Sequence, residues 1–143
     1  MRIIGLDLGS KTLGVSVSDN TLMIATGITT IRFSEENNKE ALIPLKKIID
    51  EYDAKMLVLG FPKNMNNEIG KAALRCIDFK KLLEDTFNLP VIMQDERLSS
   101  VSANNVLIKA DISRKKRKEK VDLVAATIIL QNYLDIRKEN KNE

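Results

Sequence analysis

The chain has 143 residues, of which 43% are apolar, 30% charged and 4% aromatic, a composition typical of one ordinary domain. It contains no histidine, no tryptophan and one cysteine, which excludes histidine-dependent catalytic triads and Cys/His zinc sites. Lys and Arg (23) nearly balance Asp and Glu (20), so net charge alone does not identify a nucleic-acid-binding protein. Any metal has to bind carboxylates, the ligands that Mg²⁺ and Mn²⁺ prefer.

The first two thirds of the chain predict alternating strands and helices. Strands are expected over residues 3–8, 13–18, 23–31, 55–60 and 90–94, and helices over residues 39–52 and 68–87. The turn Gly9-Ser10-Lys11-Thr12 suits a hairpin between the first two strands. Pro44 is tolerable if it falls in the first turn of its helix.

The last third is predicted to be helical. Helices are expected over residues 101–109 and 118–137, with a basic loop between them and a frayed polar tail over 138–143. The resulting order, βββαβαβαα, predicts an α/β domain over residues 1–137. Its antiparallel hairpin unit joins parallel strands, and helices cover both faces of the sheet.

Sequence features also predict the cellular location of the protein. Cys76 is the only cysteine and cannot form a disulfide within the chain, and Asp7 interrupts the apolar N-terminal run before a signal-peptide core can form. The longest mostly apolar run, residues 123–130, is far shorter than the roughly 20 residues of a membrane span. We therefore expect a cytoplasmic protein that does not bind membranes.

Positive charge is concentrated between residues 109 and 120. Seven basic residues stand there against Asp111 and Glu119, a net of +5: Lys109, Arg114, Lys115, Lys116, Arg117, Lys118 and Lys120. A solvated loop explains such a run as readily as a nucleic-acid contact does.

Acidic residues stand at three places where an acid is locally unexpected. Asp7 interrupts a hydrophobic strand, where it either accepts hydrogen bonds from its own turn or needs another partner. Asp95 and Glu96 end a strand and point to opposite faces, so only one can join Asp7, and a surface salt bridge is the alternative. Asp122 shares an apolar helical stripe with Ala125, Ala126, Ile129 and Tyr133, although an acid near a helix N-terminus also stabilises the helix dipole.

Together these acids predict a metal site. Ala125 and Ala126 are small enough to let their helix approach the sheet, which brings Asp122 towards the strand ends. Carboxylates that converge without histidine suit a two-metal phosphoryl-transfer site, and the basic segment then has a use in binding a phosphate backbone.

Four motifs in this order resemble the YqgF (RuvX) family of the ribonuclease H-like superfamily. They are Gly5-Leu6-Asp7-Leu8-Gly9-Ser10-Lys11 followed by Gly14-Val15 and Ser18-Asp19, then Gly60-Phe61-Pro62 with Asn64 and Gly70, then Asp95-Glu96-Arg97-Leu98-Ser99, and finally Lys120-Val121-Asp122 with Ala125-Ala126. The resemblance covers about residues 2–134. It implies a mixed five-stranded sheet in the order βββαβαβα and a nuclease that processes the 5′ end of precursor 16S rRNA.

The resemblance also implies roles for individual residues. Asp7, Glu96 and Asp122 would be the catalytic and metal-binding acids for two Mg²⁺ or Mn²⁺ ions, with Asp95 as a fourth candidate. Phosphate contacts would come from the basic residues near these acids, which are Lys11, Arg97, Arg114, Lys115, Lys116, Arg117, Lys118 and Lys120. Thr12 departs from the family, which commonly has a basic residue there, and this weakens one expected phosphate contact but not the metal site.

Other functions stay open at this point. Resolution of four-way DNA junctions is the alternative activity in the family, and a non-catalytic RNA-binding factor is a further one. The segment Asp7 to Lys11 also resembles the phosphate loop of sugar kinases, but those proteins close two such domains around ATP and this chain has the length of one. We expect a monomer or weak homodimer whose partner is nucleic acid.

Overall fold

A mixed sheet of five strands lies at the centre of the fold in a computed structural model that describes residues 1–61, 70–95 and 114–141. The strands are β1 (Arg2–Leu8), β2 (Thr12–Ser18), β3 (Ala25–Arg32), β4 (Ala54–Phe61) and β5 (Val91–Asp95). They lie in the order β3-β2-β1-β4-β5; the β1–β2 and β2–β3 pairs are antiparallel, and the β1–β4 and β4–β5 pairs are parallel. The predicted mixed sheet is confirmed.

Helices connect and cover these strands. A short 3-10 helix (Asn38–Ala41) leads into α1 (Leu42–Tyr52), and the longer helices are α2 (Lys71–Phe87) and α3 (Arg114–Lys141), of which the side chains of residues 123–137 are described. Pro44 falls in the first turn of α1, where its missing N–H is not needed. The helix predicted over residues 101–109 lies outside the described residues.

The last helix corrects two predictions. Residues 114–117, expected in a loop, belong to α3, and residues 138–141, expected in a frayed tail, continue it. Lys, Arg and Glu have high helix propensity, and the segment contains neither glycine nor proline. The charge density that suggested a loop is therefore compatible with a helix.

One face of the sheet, the α1/α2 face, carries the larger part of the core. Leu6 and Leu13 from the sheet pack with Leu45 of α1 and with Phe79 and Leu83 of α2, and all five are fully buried. The single cysteine of the chain, Cys76 of α2, is buried in the same cluster. Large aliphatic and aromatic side chains thus hold α1 and α2 away from the backbone of the sheet.

The opposite face, the α3 face, is packed differently. Its apolar cluster is small and consists of Ile3, Ala25, Val58, Ile129, Leu130 and Leu134. A β-carbon at Gly5 would lie 2.6 Å from the Leu130 Cβ and 2.5 Å from the Ser16 Oγ, distances that real side chains do not reach. Ala125 and Ala126 are fully buried, so α3 approaches the sheet as closely as the sequence predicted.

A turn between β2 and β3 anchors the far part of α3. The Asp19 carboxylate accepts hydrogen bonds from the Thr21 hydroxyl and from the N–H groups of Ile24 (3.1 Å) and Met23 (2.8 Å), which together lower its pKa to about 2. Gln131 of α3 accepts from the Ala25 N–H at 2.9 Å and donates to the Met23 carbonyl at 3.0 Å. The turn and the helix therefore hold each other in place.

None of the helices in the described part of the chain has the length and apolarity that a membrane crossing requires.

Candidate functional site

Asp7 lies near the end of β1 on the α3 face, next along that face to Gly5. It is 7% exposed, and it is the only buried acid in residues 1–61 and 70–95 and in the described side chains of α3. A carboxylate held within an apolar sheet is unfavourable unless it is paired, hydrogen-bonded or bound to a cation. Its burial marks Asp7 as the centre of a candidate functional site.

The position of Asp122 follows from the direction of α3. The Tyr133 hydroxyl lies 3.5 Å from the sulfur of Met56, which is in register with Ile3 of β1. Earlier in the helix, the Ala126 carbonyl lies at Gly5, two residues further along β1. The helix α3 therefore runs in the direction opposite to β1. Position 122, one turn before Ala126, lies further towards the carboxyl end of β1, in the direction of Asp7.

The register of β5 separates the two adjacent acids that end it. Leu6 pairs with Leu59 of β4, so Asp7 is level with Gly60, which in turn pairs with Gln94. Gln94 therefore shares the α3 face with Asp7, while Asp95, paired with Phe61, belongs to the α1/α2 face. Glu96 and Arg97 lie outside the described residues.

A buried hydroxyl links the sheet to α3 beside this site. Ser16 of β2 is in register with Gly5, is fully buried and donates a hydrogen bond of 2.8 Å to the Ala126 carbonyl. Ser18, two residues further on, accepts a hydrogen bond of 2.9 Å from the Ile3 N–H. Sequence reasoning singled out the acids and missed Ser16, although alternating serines in an apolar strand opposite Ala125 and Ala126 were a usable signal.

Basic residues occur at the same end of the sheet as Asp7. Lys11 is exposed in the turn between β1 and β2, and its carbonyl accepts a hydrogen bond of 2.9 Å from the Phe33 N–H. Apart from Arg97, the other predicted phosphate-contacting residues begin α3, from Arg114 to Lys120, and their side chains are outside the described set. The backbone of this basic segment nonetheless continues in the same helix to position 122.

The donors at the site suit a hard cation. Within the described residues no three His, Cys, Asp or Glu side chains form a metal-binding group, and neither Glu96 nor the side chain of Asp122 is among the residues described. What the described part supplies is one buried carboxylate without any histidine or thiol nearby in sequence. Such an oxygen donor fits Mg²⁺ or Mn²⁺ better than a softer metal.

A protein-family comparison decides the relationship. The model of the RuvX family, described as a Holliday junction resolvase, matches residues 1–136. The chain belongs to the RuvX family. This confirms the resemblance that the four sequence motifs indicated, and RuvX is a family of nucleases.

Curated RuvX relatives are similar over nearly their whole length. A protein of Geobacillus sp. (strain WCH70) named "Putative pre-16S rRNA nuclease" is 55% identical over 135 residues, which cover 94% of this chain and 98% of that protein. A protein of the same name from Bacillus subtilis (strain 168) is 49% identical, with the same coverage of both chains.

Solved structures with the same fold include two proteins bound to Holliday junctions. Thermus thermophilus RuvC bound to a Holliday junction substrate gives a TM-score of 0.60 at 14% identity, covering 97% of this chain and 96% of that one. Fowlpox virus resolvase bound to Holliday junction DNA gives 0.59 at 15% identity, covering 96% and 99%. These similarities confirm the predicted ribonuclease H-like fold of this RuvX chain.

Proposed function

We propose that this chain is a divalent-metal-dependent endonuclease that processes the 5′ end of precursor 16S rRNA in the cytoplasm. The observation that carries the proposal is the buried Asp7 carboxylate at the end of β1, on the face that α3 covers. Membership of the RuvX family and the names of its relatives supply the substrate class. We expect the active protein to be a monomer or weak homodimer.

Asp7, Glu96 and Asp122 are the proposed catalytic and metal-binding acids. The direction of α3, which carries position 122 towards Asp7, supports Asp122. Strand alternation supports Glu96, because Asp95 belongs to the opposite face and the next position along a strand changes face. The same register weighs against Asp95, the fourth candidate.

These residues would divide the work of phosphodiester hydrolysis. Asp7, central in the sheet, would contribute to holding both Mg²⁺ or Mn²⁺ ions, while Glu96 and Asp122 would each complete the ligands of one. When bound, the ions would stabilise negative charge on the attacking and the departing oxygen. Ser16 would keep α3, and with it Asp122, at a fixed depth above β1.

Substrate binding would depend on the basic residues around the acids. Lys11, Arg97 and the basic start of α3 are proposed to contact backbone phosphates, which carry no sequence information. The chain has 4% aromatic residues, several of them in the core, so recognition through stacked bases is poorly supported. Recognition of shape and backbone is therefore the proposed mode.

Resolution of four-way DNA junctions is the second candidate function. It is favoured by the description of the RuvX family and by the two structures of similar fold, RuvC and the fowlpox virus resolvase, each of which is bound to a Holliday junction. A non-catalytic RNA-binding role is the third possibility, since intact acids establish a capacity for catalysis and not the activity itself.

One cleavage experiment tests all three functions. Purified protein is incubated with labelled precursor 16S rRNA and, in parallel, with a labelled four-way DNA junction, with and without Mg²⁺ or Mn²⁺. Asp7→Asn should lower the cleavage rate by more than about a hundredfold, because the neutral amide keeps the volume and loses the charge that binds metal. Its melting temperature without metal should be equal or higher, since crowded carboxylates repel each other.

Two neighbouring variants give the matched comparison. Glu96→Gln should lose far more activity than Asp95→Asn, because the two side chains are assigned to opposite faces. Wild-type-like cleavage by Asp7→Asn would contradict the metal site, and unfolding of that variant would make Asp7 structural. Cleavage of the junction alone would select the resolvase function, and binding without cleavage the RNA-binding one.

A further inference from the structure

An irregularity in β3 changes which of its residues face Asp7. Ser16 pairs with Gly27 and Val15 pairs with Thr29, so Ile28 is an extra residue without a partner in the ladder. Before it, Gly27 lies on the α3 face against Leu123 and Thr127 of α3. After it, Ile31 packs in the core of the α1/α2 face, which leaves Thr30 and Arg32 on the face of Asp7.

The register also fixes how far Arg32 lies from Asp7. Asp7 pairs with Gly14, and Gly14 pairs with Thr30 on the next strand. Arg32 pairs with Thr12, two residues further towards the end of the sheet. Standard strand spacing and rise then put the Cα atoms of Asp7 and Arg32 about 12 Å apart. At that distance, the Arg32 side chain is suited to contact a phosphate near the one that would be cleaved at Asp7.

Arg32 and Lys11 are exposed cations held at this end by the same ladder. The Phe33 N–H bonds to the Lys11 carbonyl at 2.9 Å, and the Phe33 side chain is buried, so the backbone on both sides of Arg32 is fixed. Neither cation forms an ion pair within residues 1–61 and 70–95. The nearby Glu40 accepts a hydrogen bond from the Ser34 N–H instead.

We propose that Arg32, together with Lys11, binds the phosphodiester backbone of the substrate next to the scissile phosphate. An arginine guanidinium fits this task because it is permanently charged and can donate two parallel hydrogen bonds to one phosphate. The inference rests on the proposed function, since it assumes that the substrate is a nucleic acid. It concerns binding through the backbone alone, which RNA and DNA share.

Binding measured against salt concentration tests this contact. Wild type, Arg32→Ala and Arg32→Lys are titrated against the labelled precursor rRNA and the four-way DNA junction without divalent cations. Arg32→Ala should weaken binding to both by about 3- to 10-fold and reduce the salt slope by nearly one unit, while Arg32→Lys recovers the slope. In cleavage assays KM should rise by a similar factor while kcat stays within about twofold.

Lys47→Ala is the matched control, because Lys47 is an exposed cation on α1 at the other face of the sheet. It should bind like wild type. Equal affinities and salt slopes for Arg32→Ala and Lys47→Ala would overturn the inference, as would a loss of affinity with no change in slope. If wild type binds but cleaves neither nucleic acid, the nuclease proposal fails while the slopes still decide the role of Arg32.

Discussion

The two faces of the sheet are built on different principles. On the α1/α2 face, large side chains such as Leu6, Leu13 and Phe79 separate helices from strands and fill a continuous core. On the α3 face, a helix packs very close to the backbone of the sheet, and the contact is made by Gly5, Ser16 and Ala126. The first face buries more apolar surface, and the second fixes the distance between a helix and the strand that carries Asp7. We therefore expect stability and function to depend mainly on opposite sides of one sheet.

Truncation on the α1/α2 face should have the largest effect on stability. Phe79→Ala removes a fully buried ring and should lower the free energy of unfolding by about 3–5 kcal/mol, measured by urea denaturation. Ile77→Ala, on the exposed side of the same helix, should change it by less than about 0.5 kcal/mol. If the folded fraction of Phe79→Ala also lost nucleic-acid affinity, the separation of the two faces would be wrong.

Overpacking the α3 face should affect activity more than stability. Gly5→Ala places a methyl group against Ser16 and Leu130, which should cost about 1–3 kcal/mol and push α3 outwards. Cleavage should then fall at least about tenfold under conditions where the variant is fully folded, because Asp122 moves away from Asp7.

The control for this variant is Ile4→Val, which shares the strand with Gly5 and belongs to the other face. It should cost about 0.5–1.5 kcal/mol and leave cleavage unchanged. Equal activities of the two variants would show that the depth of α3 does not matter for catalysis.

Lowering the pH should destabilise the turn between β2 and β3 that anchors α3. This is the smallest of the three predicted effects. The pKa of Asp19 is lowered to about 2 in the folded protein, so its stabilising contribution is complete above the ordinary value of 3.8 and is lost as the pH falls towards 2. Denaturation midpoints of wild type and Asp19→Asn should therefore converge between pH 4 and pH 2. A constant difference over this range would mean that the charge of Asp19 does not support the turn.

Strand and helix types were predictable because their patterns are local. Asp7 stood out as an acid within an apolar strand, and the small pair Ala125-Ala126 correctly predicted a close helix. The mixed sheet followed from the order of the elements. Glu96 and Asp122 remain predictions, supported by register and helix direction.

Other features depend on tertiary structure and were missed. Arg32 is an example, since simple alternation from Gly27 assigns it to the wrong face and only the extra residue Ile28 reverses the assignment. The start of α3 was misplaced because like charges suggested a loop, whereas helix propensity prevailed. Ser16 gains its importance from a contact with a residue 110 positions away in the chain.

The buried Cys76 gives this protein an internal reporter of its own motions. Cys76 is 1% exposed and is the only cysteine in the chain, so a thiol-specific reagent can react only when α2 lifts from the sheet or the domain unfolds. The labelling rate therefore measures opening of the α1/α2 face, without any engineered probe. Covalent dimerisation by thiol oxidation, which is common in stored proteins with surface cysteines, should be slow here for the same reason.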